Sequence, residues 1–364
     1  MKVGILGGGQ LARMIALSGY PLGLQFIVLD PDPMAGAGGL SEHLIGAYDD
    51  PKLLAELAEK ADVVTYEFEN VPAHVAEFLG SHTKVYPPAG ALAIAQDRLL
   101  EKNFFHELGI GTAPYASIDS LDDLQEAMQA LGYPAILKSR RLGYDGKGQV
   151  VLKSADDLAS AWASMQGAPS IVEGFVNFSR EVSIIAARRP SGEIAYYPLS
   201  ENQHQGGILR VAKSCDNDSL QEEAQDIVRR LLEKLDYVGV IALELFEVDG
   251  HLLANEFAPR VHNSGHWTIE GSETSQFENH LRAILDLPLG NTKTLGLAAM
   301  VNFIGGIPTQ EQILSLCNAH LHLYDKTPRK GRKVGHATVR SANPTEFDST
   351  LTALMSIAQS VDLG

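Results

Sequence analysis

Short apolar runs alternate with amphipathic helical stretches over the first hundred residues of the chain. Lys2 to Leu6 and Phe26 to Leu29 are aliphatic runs of strand length. The apolar positions of residues 10–18 and 51–60 instead recur every three to four residues, as on one face of a helix. Strands that alternate with helices at this spacing predict a doubly wound parallel sheet. We place this N-terminal domain at residues 1–97.

The middle of the chain carries a lysine at the end of a predicted strand. The apolar run Ala135 to Leu137 ends in Lys138, and glycines dominate the turn at residues 143–149. Such a turn exposes backbone N–H groups, which a polyphosphate requires, and a lysine supplies a point charge beside them. A β-hairpin with a flexible tip explains these residues equally well.

Upstream, residues 89–109 predict one long helix, with Arg98 near its start.

Two acidic residues interrupt a second β-rich region. Gly239 to Val248 and His251 to Phe257 predict a hairpin, and its strands contain Glu244 and Glu256. Buried carboxylates are costly unless they are paired or bind a metal, and two of them suit Mg²⁺. Pairing with Arg260 or Lys138 would be the structural alternative.

The hairpin register decides whether these two glutamates can share a metal. A two-residue turn would place Glu244 opposite Asn255 and direct Glu256 to the other face of the sheet. We therefore predict a three-residue loop, Asp249 to His251, which places Glu244 opposite Glu256.

The first strand leads into a glycine turn that resembles a nucleotide fingerprint. Gly7, Gly9 and Ala12 fit the pattern G-x-G-x-x-[G/A], and Asp30 ends the second strand. Many parallel-sheet domains use such a turn for other phosphates, so a dinucleotide does not follow. The string TYEFEN further places Glu67 and Glu69 at the carboxyl end of a strand, where ligands bind. Capping of the helix that follows is an equally good explanation.

Composition narrows the class of protein. The 364 residues suffice for two or three domains, and 45% are hydrophobic. The formal net charge of −16 argues against nucleic-acid binding. We expect neither a membrane span nor a secretory signal. Cys215 and Cys317 are far apart and in no metal-ligand spacing, so we predict neither a disulfide framework nor a zinc site, and expect a reducing cytoplasm.

Five separated motifs, in order, resemble one family. They are GILGGGQLARM, TYEFENVP, LKSRRLGYDGKGQ, NEFAPRVHNSGHWTIE and LYDKTPRKGRKVGHA. Together with the buried-acid hairpin they resemble the ATP-grasp superfamily, and within it the 5-(carboxyamino)imidazole ribonucleotide synthetase family of purine biosynthesis. The resemblance covers essentially the whole chain. It departs from the family at Ala12, where Gly is usual, and around His204.

The resemblance implies a ligase. ATP would phosphorylate bicarbonate, and the carboxyphosphate would deliver carbon dioxide to the exocyclic amine of 5-aminoimidazole ribonucleotide. It implies a pre-ATP-grasp domain at 1–97, an ATP-grasp domain at 98–290 with a lid at about 115–176, and a small β-rich domain at 291–364. Mg²⁺, with Mn²⁺ as a substitute, is the implied metal on Glu244 and Glu256.

The resemblance also assigns individual residues. The implied ATP site comprises Arg98, Lys138, Gly143, Tyr144, Asp145, Gly146, Lys147, Gly148, Gln149, Glu173, Gly174, Phe175, Val176, Glu181, His204, Asn255 and Glu256. The candidates for the bicarbonate and carboxyphosphate pocket are Tyr144, Asp145, Lys147, Arg260, His262, Lys326, Arg332 and Lys333. The ribotide phosphate would bind at Gly9, Gln10 and Leu11. Which of the three tail residues contacts carboxyphosphate stays open.

Three alternatives compete with this interpretation. A dehydrogenase would use the N-terminal fingerprint but leaves Glu244 and Glu256 unexplained, as does a non-catalytic nucleotide-binding module. A related ATP-grasp enzyme that activates formate should show G-x-G-E-L where this chain has GGGQL. The family further suggests a homodimer. Because the chain ends at Gly364, we expect its product to pass to a separate mutase.

Overall fold

The computed structural model describes residues 1–143 and 148–363, except for the side chain of Ala73. The N-terminal unit consists of β1 (Lys2–Leu6), α1 (Gln10–Gly19), β2 (Gln25–Asp30), β3 (Glu42–Ile45), α2 (Pro51–Lys60), β4 (Val63–Tyr66), α3 (Ala73–Gly80) and α4 (Ala89–Ala95). Its strands are all parallel, in the order β3-β2-β1-β4. The predicted parallel sheet is therefore confirmed, and β1 lies next to β4, so the glycine turn after β1 and the TYEFEN string after β4 share one edge.

The lid follows as a separate small sheet. It is preceded by α5 (Arg98–Glu107) and contains β5 (Tyr115–Ile118), α6 (Leu121–Leu131), β6 (Ala135–Ser139), β7 (Gln149–Leu152), α7 (Leu158–Ser164) and β8 (Ser170–Gly174). Its antiparallel strands run in the order β5-β8-β6-β7. Lys138 of β6 pairs with Gln149 of β7, so the glycine-rich turn connects two paired strands.

The single long helix predicted over residues 89–109 is wrong. The chain forms α4 and α5 separately, because Asp97 is the N-cap of α5 and accepts hydrogen bonds from the amides of Leu99 and Leu100 at 3.1 and 3.5 Å. An aspartate at this position stabilises a new helix start more than it stabilises a helix interior. Arg98 consequently occupies the first turn of α5.

A large antiparallel sheet forms the body of the molecule. Its elements are β9 (Arg180–Arg188), β10 (Ile194–Tyr196), β11 (Leu199–Gln205), β12 (Ile208–Cys215), α8 (Gln221–Lys234), β13 (Gly239–Val248), β14 (His251–Ala258), α9 (Thr268–Gly271) and α10 (Gln276–Ile284). Helix α8 packs beneath β9 through its apolar face, which includes Ile227, Val228 and Leu231. The edge of the sheet at β14 packs against α4, α5 and α8.

The C-terminal strands extend the same sheet. The elements are β15 (Leu297–Ile304), α11 (Gln310–Leu314), β16 (Ala319–Leu323), β17 (Lys333–Ser341) and α12 (Pro344–Ser360). Strand β15 pairs with β12, so the sheet order is β14-β13-β9-β11-β12-β15-β17-β16, with β10 on β9. Hydrogen bonding thus continues across the predicted boundary at residue 291. Within residues 1–143 and 148–363, no helix is both long enough and apolar enough to cross a bilayer.

The β13–β14 hairpin corrects the predicted loop. Val248 pairs with His251, so Asp249 and Gly250 form a two-residue turn, both at positive φ (50° and 79°). Glu244 nevertheless pairs with Glu256, because the register shifts between Glu244 and Leu245 and Asn255 becomes the extra residue of a β-bulge. The three-residue loop was wrong, whereas the predicted opposition of the two glutamates is confirmed.

Candidate active site

A polar cleft with a volume of about 70 Å³ lies between the lid and the large sheet. Its lining comes from elements far apart in sequence, among them Glu69, Arg98, Arg140, Gly143, Glu244, Glu256, Arg260 and His262. The parallel sheet, the start of α5, the lid and the β13–β14 hairpin therefore all contribute polar groups to one space. An abundance of charged groups around one cleft is typical of a catalytic site for ionic substrates.

Two opposed carboxylates form one wall of the cleft. Glu244 and Glu256 are directly paired on neighbouring antiparallel strands, which places their side chains on the same face. Burial, together with the charge of Glu256, raises the pKa of Glu244. Burial would also raise the pKa of Glu256, but the Arg98 guanidinium outweighs it and lowers that pKa, with its Nη1 at 2.8 Å from Oε2. Two close oxygen ligands of like charge favour a divalent cation between them.

The donor set fits Mg²⁺ better than a transition metal. In the described part of the chain, no cluster of three or more His, Cys, Asp or Glu side chains could hold a metal ion. Mg²⁺ commonly takes one or two protein carboxylates and completes its shell with water and phosphate oxygens. The Glu244 and Glu256 pair meets that requirement.

Lys138 ends β6 beside a buried glutamate. Its Nζ lies 2.9 Å from Oε2 of Glu173 on the adjacent strand β8, and Lys102 Nζ lies 3.5 Å from the same oxygen. Burial would raise the pKa of Glu173, yet the two lysines outweigh it and lower that pKa. Burial in turn lowers the pKa of Lys138. The cation predicted for a phosphate therefore lies beside the cleft, where its charge helps to lower the pKa of Glu256, and it is within reach of the hinge after β8.

The lid is joined to the start of α5 by charge. Arg140 donates to both carboxylate oxygens of Asp97, from Nε at 3.0 Å and Nη2 at 2.8 Å, and Arg141 Nε donates at 3.1 Å. The Arg98 amide also donates to the Arg140 carbonyl at 3.0 Å. The geometry of α5, and with it Arg98, is thus tied to the residues that precede the glycine-rich turn.

Glu181 and His204 lie on the same face of the large sheet. Glu181 of β9 pairs with Phe246 of β13 and Asn202 of β11, and its Oε2 lies 2.7 Å from His204 Nδ1. Burial favours the neutral imidazole, but contact with Glu181 and the charge of Glu244 raise the pKa of His204 overall. Both residues assigned to ATP are therefore adjacent, and the carboxylate lies beside the metal pair.

Arg260 and His262 follow β14 at the floor of the cleft. Arg260 Nε makes a short contact with the Glu69 carboxylate. Burial opposes ionisation of Glu69, but Arg260 outweighs it and lowers its pKa to about 2. His262 Nε2 lies 3.4 Å from Glu244 Oε1, and burial together with Arg260 lowers the pKa of His262 to about 3. At neutral pH the floor therefore holds a fixed cation beside a neutral imidazole.

The glycine turn after β1 is occupied by carboxylates of the chain itself. Gly9 donates to Glu67 Oε1 at 2.6 Å and Ala12 to Glu67 Oε2 at 3.1 Å, while Gly8 donates to Asp30 Oδ2 at 2.7 Å. Neither Glu67 nor Glu69 caps α3, so the capping alternative is wrong. Of the predicted ribotide-phosphate donors, the Gly9 amide already has an acidic partner. A pyrophosphate on this turn would have to displace two carboxylates, which argues against the dehydrogenase alternative.

The three candidates from the tail lie near one another, since the charges of Arg332 and Lys333 both act on Lys326. Lys326 contacts the Gln10 side-chain oxygen at the start of α1, and its charge acts on buried Glu67. Arg332 donates to the Thr327 carbonyl at 3.2 Å and lies near Lys326. The charge of Lys333 also helps to lower the pKa of His262, after burial and Arg260. Lys333 thus acts on both the floor of the cleft and Lys326, whereas Lys326 itself contacts Gln10 beside the glycine turn.

Four predicted site residues, Tyr144, Asp145, Gly146 and Lys147, lie outside the described residues, and three residues near the site were not predicted. Sequence reasoning did not single out Glu101 or Lys102, which are buried in α5, nor the side-chain role of Glu173. The available signal for these two residues was a glutamate followed by a lysine within an apolar stretch of a predicted helix. Charged residues are rarely buried, so such a position is unusual.

Comparison with known proteins identifies the family of the chain. Residues 1–96 match the ribonucleotide synthetase preATP-grasp domain, 103–277 the ATP-grasp domain, and 298–350 the phosphoribosylaminoimidazole carboxylase C-terminal domain. The N5-carboxyaminoimidazole ribonucleotide synthase of Pseudomonas aeruginosa is 53% identical over 343 residues, covering 94% of this chain and 95% of that protein.

Solved structures extend the likeness to the whole fold. The synthetase from Thermus thermophilus superposes with a TM-score of 0.94 at 50% identity, covering 98% of both chains. The Aspergillus clavatus synthase, solved in complex with ADP and 5-aminoimidazole ribonucleotide, superposes with a TM-score of 0.92 at 32% identity, covering 99% of both chains. The chain therefore belongs to the N5-carboxyaminoimidazole ribonucleotide synthase family, whose members are ATP-grasp ligases.

Proposed function

We propose that the cleft uses ATP and bicarbonate to carboxylate the exocyclic amine of 5-aminoimidazole ribonucleotide, giving the N-carboxylated ribotide, ADP and phosphate. The observation that carries the proposal is the pair of Glu244 and Glu256 on one wall of the cleft, with Arg98 bonded to Glu256 and Lys138 near enough for its charge to act on Glu256. Phosphoryl transfer is catalysed mainly by positioning and by neutralising charge on phosphate oxygens. A carboxylate pair with nearby cations supplies both.

The nucleotide would lie between the hinge and the carboxylate wall. Lys138 and Arg98 would exchange their protein carboxylate partners for phosphate oxygens, and Glu181 would accept from the ribose hydroxyls. The amides of Gly174 and Phe175 donate to the carbonyls of Pro114 and Pro134 at 2.8 and 3.2 Å, which leaves Val176 as the hinge residue to read adenine. Glu244 and Glu256 would hold Mg²⁺, which when bound neutralises phosphate charge.

Bicarbonate and carboxyphosphate would bind at the floor. Arg260 is the cation placed to hold these anions, with its orientation set by Glu69. The neutral His262 ring lies beside it and can hydrogen-bond without adding charge, and Lys333 approaches from the tail. Enclosure of this floor by the lid would protect carboxyphosphate from water.

The ribotide would bind against the N-terminal unit. Lys326 and Gln10 meet at the start of α1 and would hold the phosphate, while Gly9 and Leu11 shape the turn beneath it. Glu67 keeps the Gly9 and Ala12 amides occupied, so these amides would not hold the phosphate themselves. This modifies the sequence prediction, in which the helix amides themselves held the phosphate.

A substrate-dependence assay tests the reaction. We expect ADP release that requires both bicarbonate and 5-aminoimidazole ribonucleotide. ADP release that instead requires formate and glycinamide ribonucleotide would overturn the proposal and favour the formate-activating relative. NMR after reaction with carbon-13 bicarbonate should show a labelled carboxylate attached to the exocyclic nitrogen and none attached to the ring carbon. We propose that a separate mutase transfers the carboxylate from the nitrogen to the ring carbon.

The proposal also covers the oligomeric state of the protein and its cellular compartment. We propose a homodimer, which sedimentation equilibrium would check, and a reducing cytoplasmic location. The thiols of Cys215 and Cys317 are both free, which fits a reducing compartment.

A further inference from the structure

Two consecutive side chains of α5 bond to the backbone on either side of Glu256. Lys102 Nζ donates to the Asn255 carbonyl at 2.8 Å, and the Phe257 amide donates to Glu101 Oε1 at 2.7 Å. Both side chains are almost fully buried, with Glu101 and Lys102 each 2% exposed. A lysine and a glutamate are rarely buried to this degree unless each is paired. Their partners here are backbone groups of one short segment of β14.

That segment is the β-bulge that sets the hairpin register. Strand β14 is the outer strand of the large sheet, and of its outward groups the Ala254 amide bonds to the Gly111 carbonyl at 2.8 Å, while the groups at the bulge have no neighbouring strand of that sheet. A bulge further interrupts the ladder, and buried backbone groups need partners. Lys102 and Glu101 supply those partners at Asn255 and Phe257. Without the bulge, the two-residue turn would align Asn255 with Glu244.

We infer that Glu101 and Lys102 are positioning residues that hold the bulge at Asn255 and so direct Glu256 toward the metal shared with Glu244. The inference rests on the proposed metal site and adds two residues that bond to the backbone beside Glu256, of which Glu101 also lines the cleft. Lys102 has a further contact, at 3.5 Å from Glu173 on the lid strand β8. Lys102 thus contacts both the hairpin backbone and Glu173, which also forms an ion pair with Lys138.

Metal affinity measured apart from turnover tests this role. Mn²⁺ is titrated by electron paramagnetic resonance at saturating ADP, and ADP affinity is measured separately without metal. Lys102→Met keeps the length of the side chain but removes its donor, and we expect Mn²⁺ affinity to fall about 10- to 100-fold, as for other residues that orient metal ligands. Metal-free ADP affinity should stay unchanged. Glu101→Gln keeps an acceptor for Phe257 and should retain Mn²⁺ affinity, whereas Glu101→Met should lose it.

Two further variants separate the possible failures. Tyr237→Phe removes another buried bond from a side chain to the hairpin backbone, since Tyr237 donates to the Val240 carbonyl at 2.7 Å, and it should leave Mn²⁺ affinity unchanged. Glu256→Gln should weaken Mn²⁺ binding; if it does not, the metal site itself is refuted.

If Glu256→Gln weakens binding but Lys102→Met and Glu101→Met do not, the positioning role is refuted alone. Should Lys102→Met be too unstable to purify, Glu101→Met decides. Failure of both to fold, with Tyr237→Phe folded, would assign the pair to fold stability and overturn the inference.

Discussion

Single residues in the cleft show how burial and charge are balanced against each other. Lys138 is buried, which disfavours its cation and lowers its pKa, and Glu173 at 2.9 Å offsets part of that effect. Arg98 has the same relation to Glu256. Such pairs keep the cations ionised and oriented without a strong net stabilisation, because desolvation offsets most of the attraction. Phosphate oxygens can replace the carboxylates with little change in charge balance.

Replacement of Lys138 tests its role in ATP binding. A charge-assisted phosphate contact contributes about 1.5–3 kcal/mol, so Lys138→Ala should raise the KM for ATP roughly 10- to 100-fold. Steady-state kinetics at saturating bicarbonate and ribotide would measure this. Lys153→Ala, at an exposed position just after β7, is the matched control and should leave the KM unchanged. An unaltered KM in Lys138→Ala would remove β6 from the ATP site.

The secondary-structure elements were largely predictable where the signal is local. The parallel strands and their helices follow hydrophobic periodicity, and β13 has the bounds predicted from Gly239 to Val248. The interruption of helix 89–109 was missed because apolar positions continue on both sides of it, although Asp97 supplied a local N-cap signal. The bulge at Asn255 was missed because its partners, Glu101 and Lys102, are on another element. Sequence periodicity contains no information about contacts at such separation.

The connection between the lid and α5 predicts a selective effect of charge at Asp97. Asp97→Asn keeps a side-chain cap for α5 but loses the charge that holds Arg140 and Arg141. We expect a higher KM for ATP and faster amide hydrogen exchange in β6 and β7. Asp50→Asn is the matched control, since Asp50 caps α2 through the amides of Lys52 and Leu53. Equal effects of the two substitutions would mean that capping alone matters.

The hairpin turn predicts a stability effect without a metal effect. Gly250 has a φ of 79°, which L residues adopt only with strain, so Gly250→Ala should lower the free energy of unfolding by about 1 kcal/mol. Gly39→Ala, at an exposed glycine without positive φ or close neighbours, should change it little. Urea unfolding would compare the two. Because the bulge at Asn255 lies between the turn and Glu256, Gly250→Ala should bind Mn²⁺ as tightly as the unchanged protein does. Weaker Mn²⁺ binding in Gly250→Ala would show that the turn, and not the bulge, sets the hairpin register.

Across the molecule as a whole, the parallel sheet and the large sheet are joined by contacts of a buried histidine. His280 of α10 is fully buried at this junction; its Nδ1 accepts from the Val240 amide at 3.1 Å and its Nε2 lies 2.8 Å from Thr65 Oγ1. One imidazole thereby bonds to β13 and β4 at once. Because Nδ1 must accept a hydrogen bond, the ring is required in its neutral form.

This requirement predicts how stability depends on pH. Burial lowers the pKa of His280 to about 4, from an ordinary value of 6.5. Between these values the unfolded chain binds a proton that the folded chain does not, so stability falls as pH decreases through this window, by up to about 1.4 kcal/mol per pH unit from this residue. His280→Gln should be less stable at pH 7 but should show a shallower loss of urea stability from pH 6.5 to 4.5. Tyr237→Phe, which removes a buried bond to the same strand without a titrating group, should lose stability in parallel with the unchanged protein. An equally steep loss in His280→Gln would mean that other groups control the acid stability of this junction.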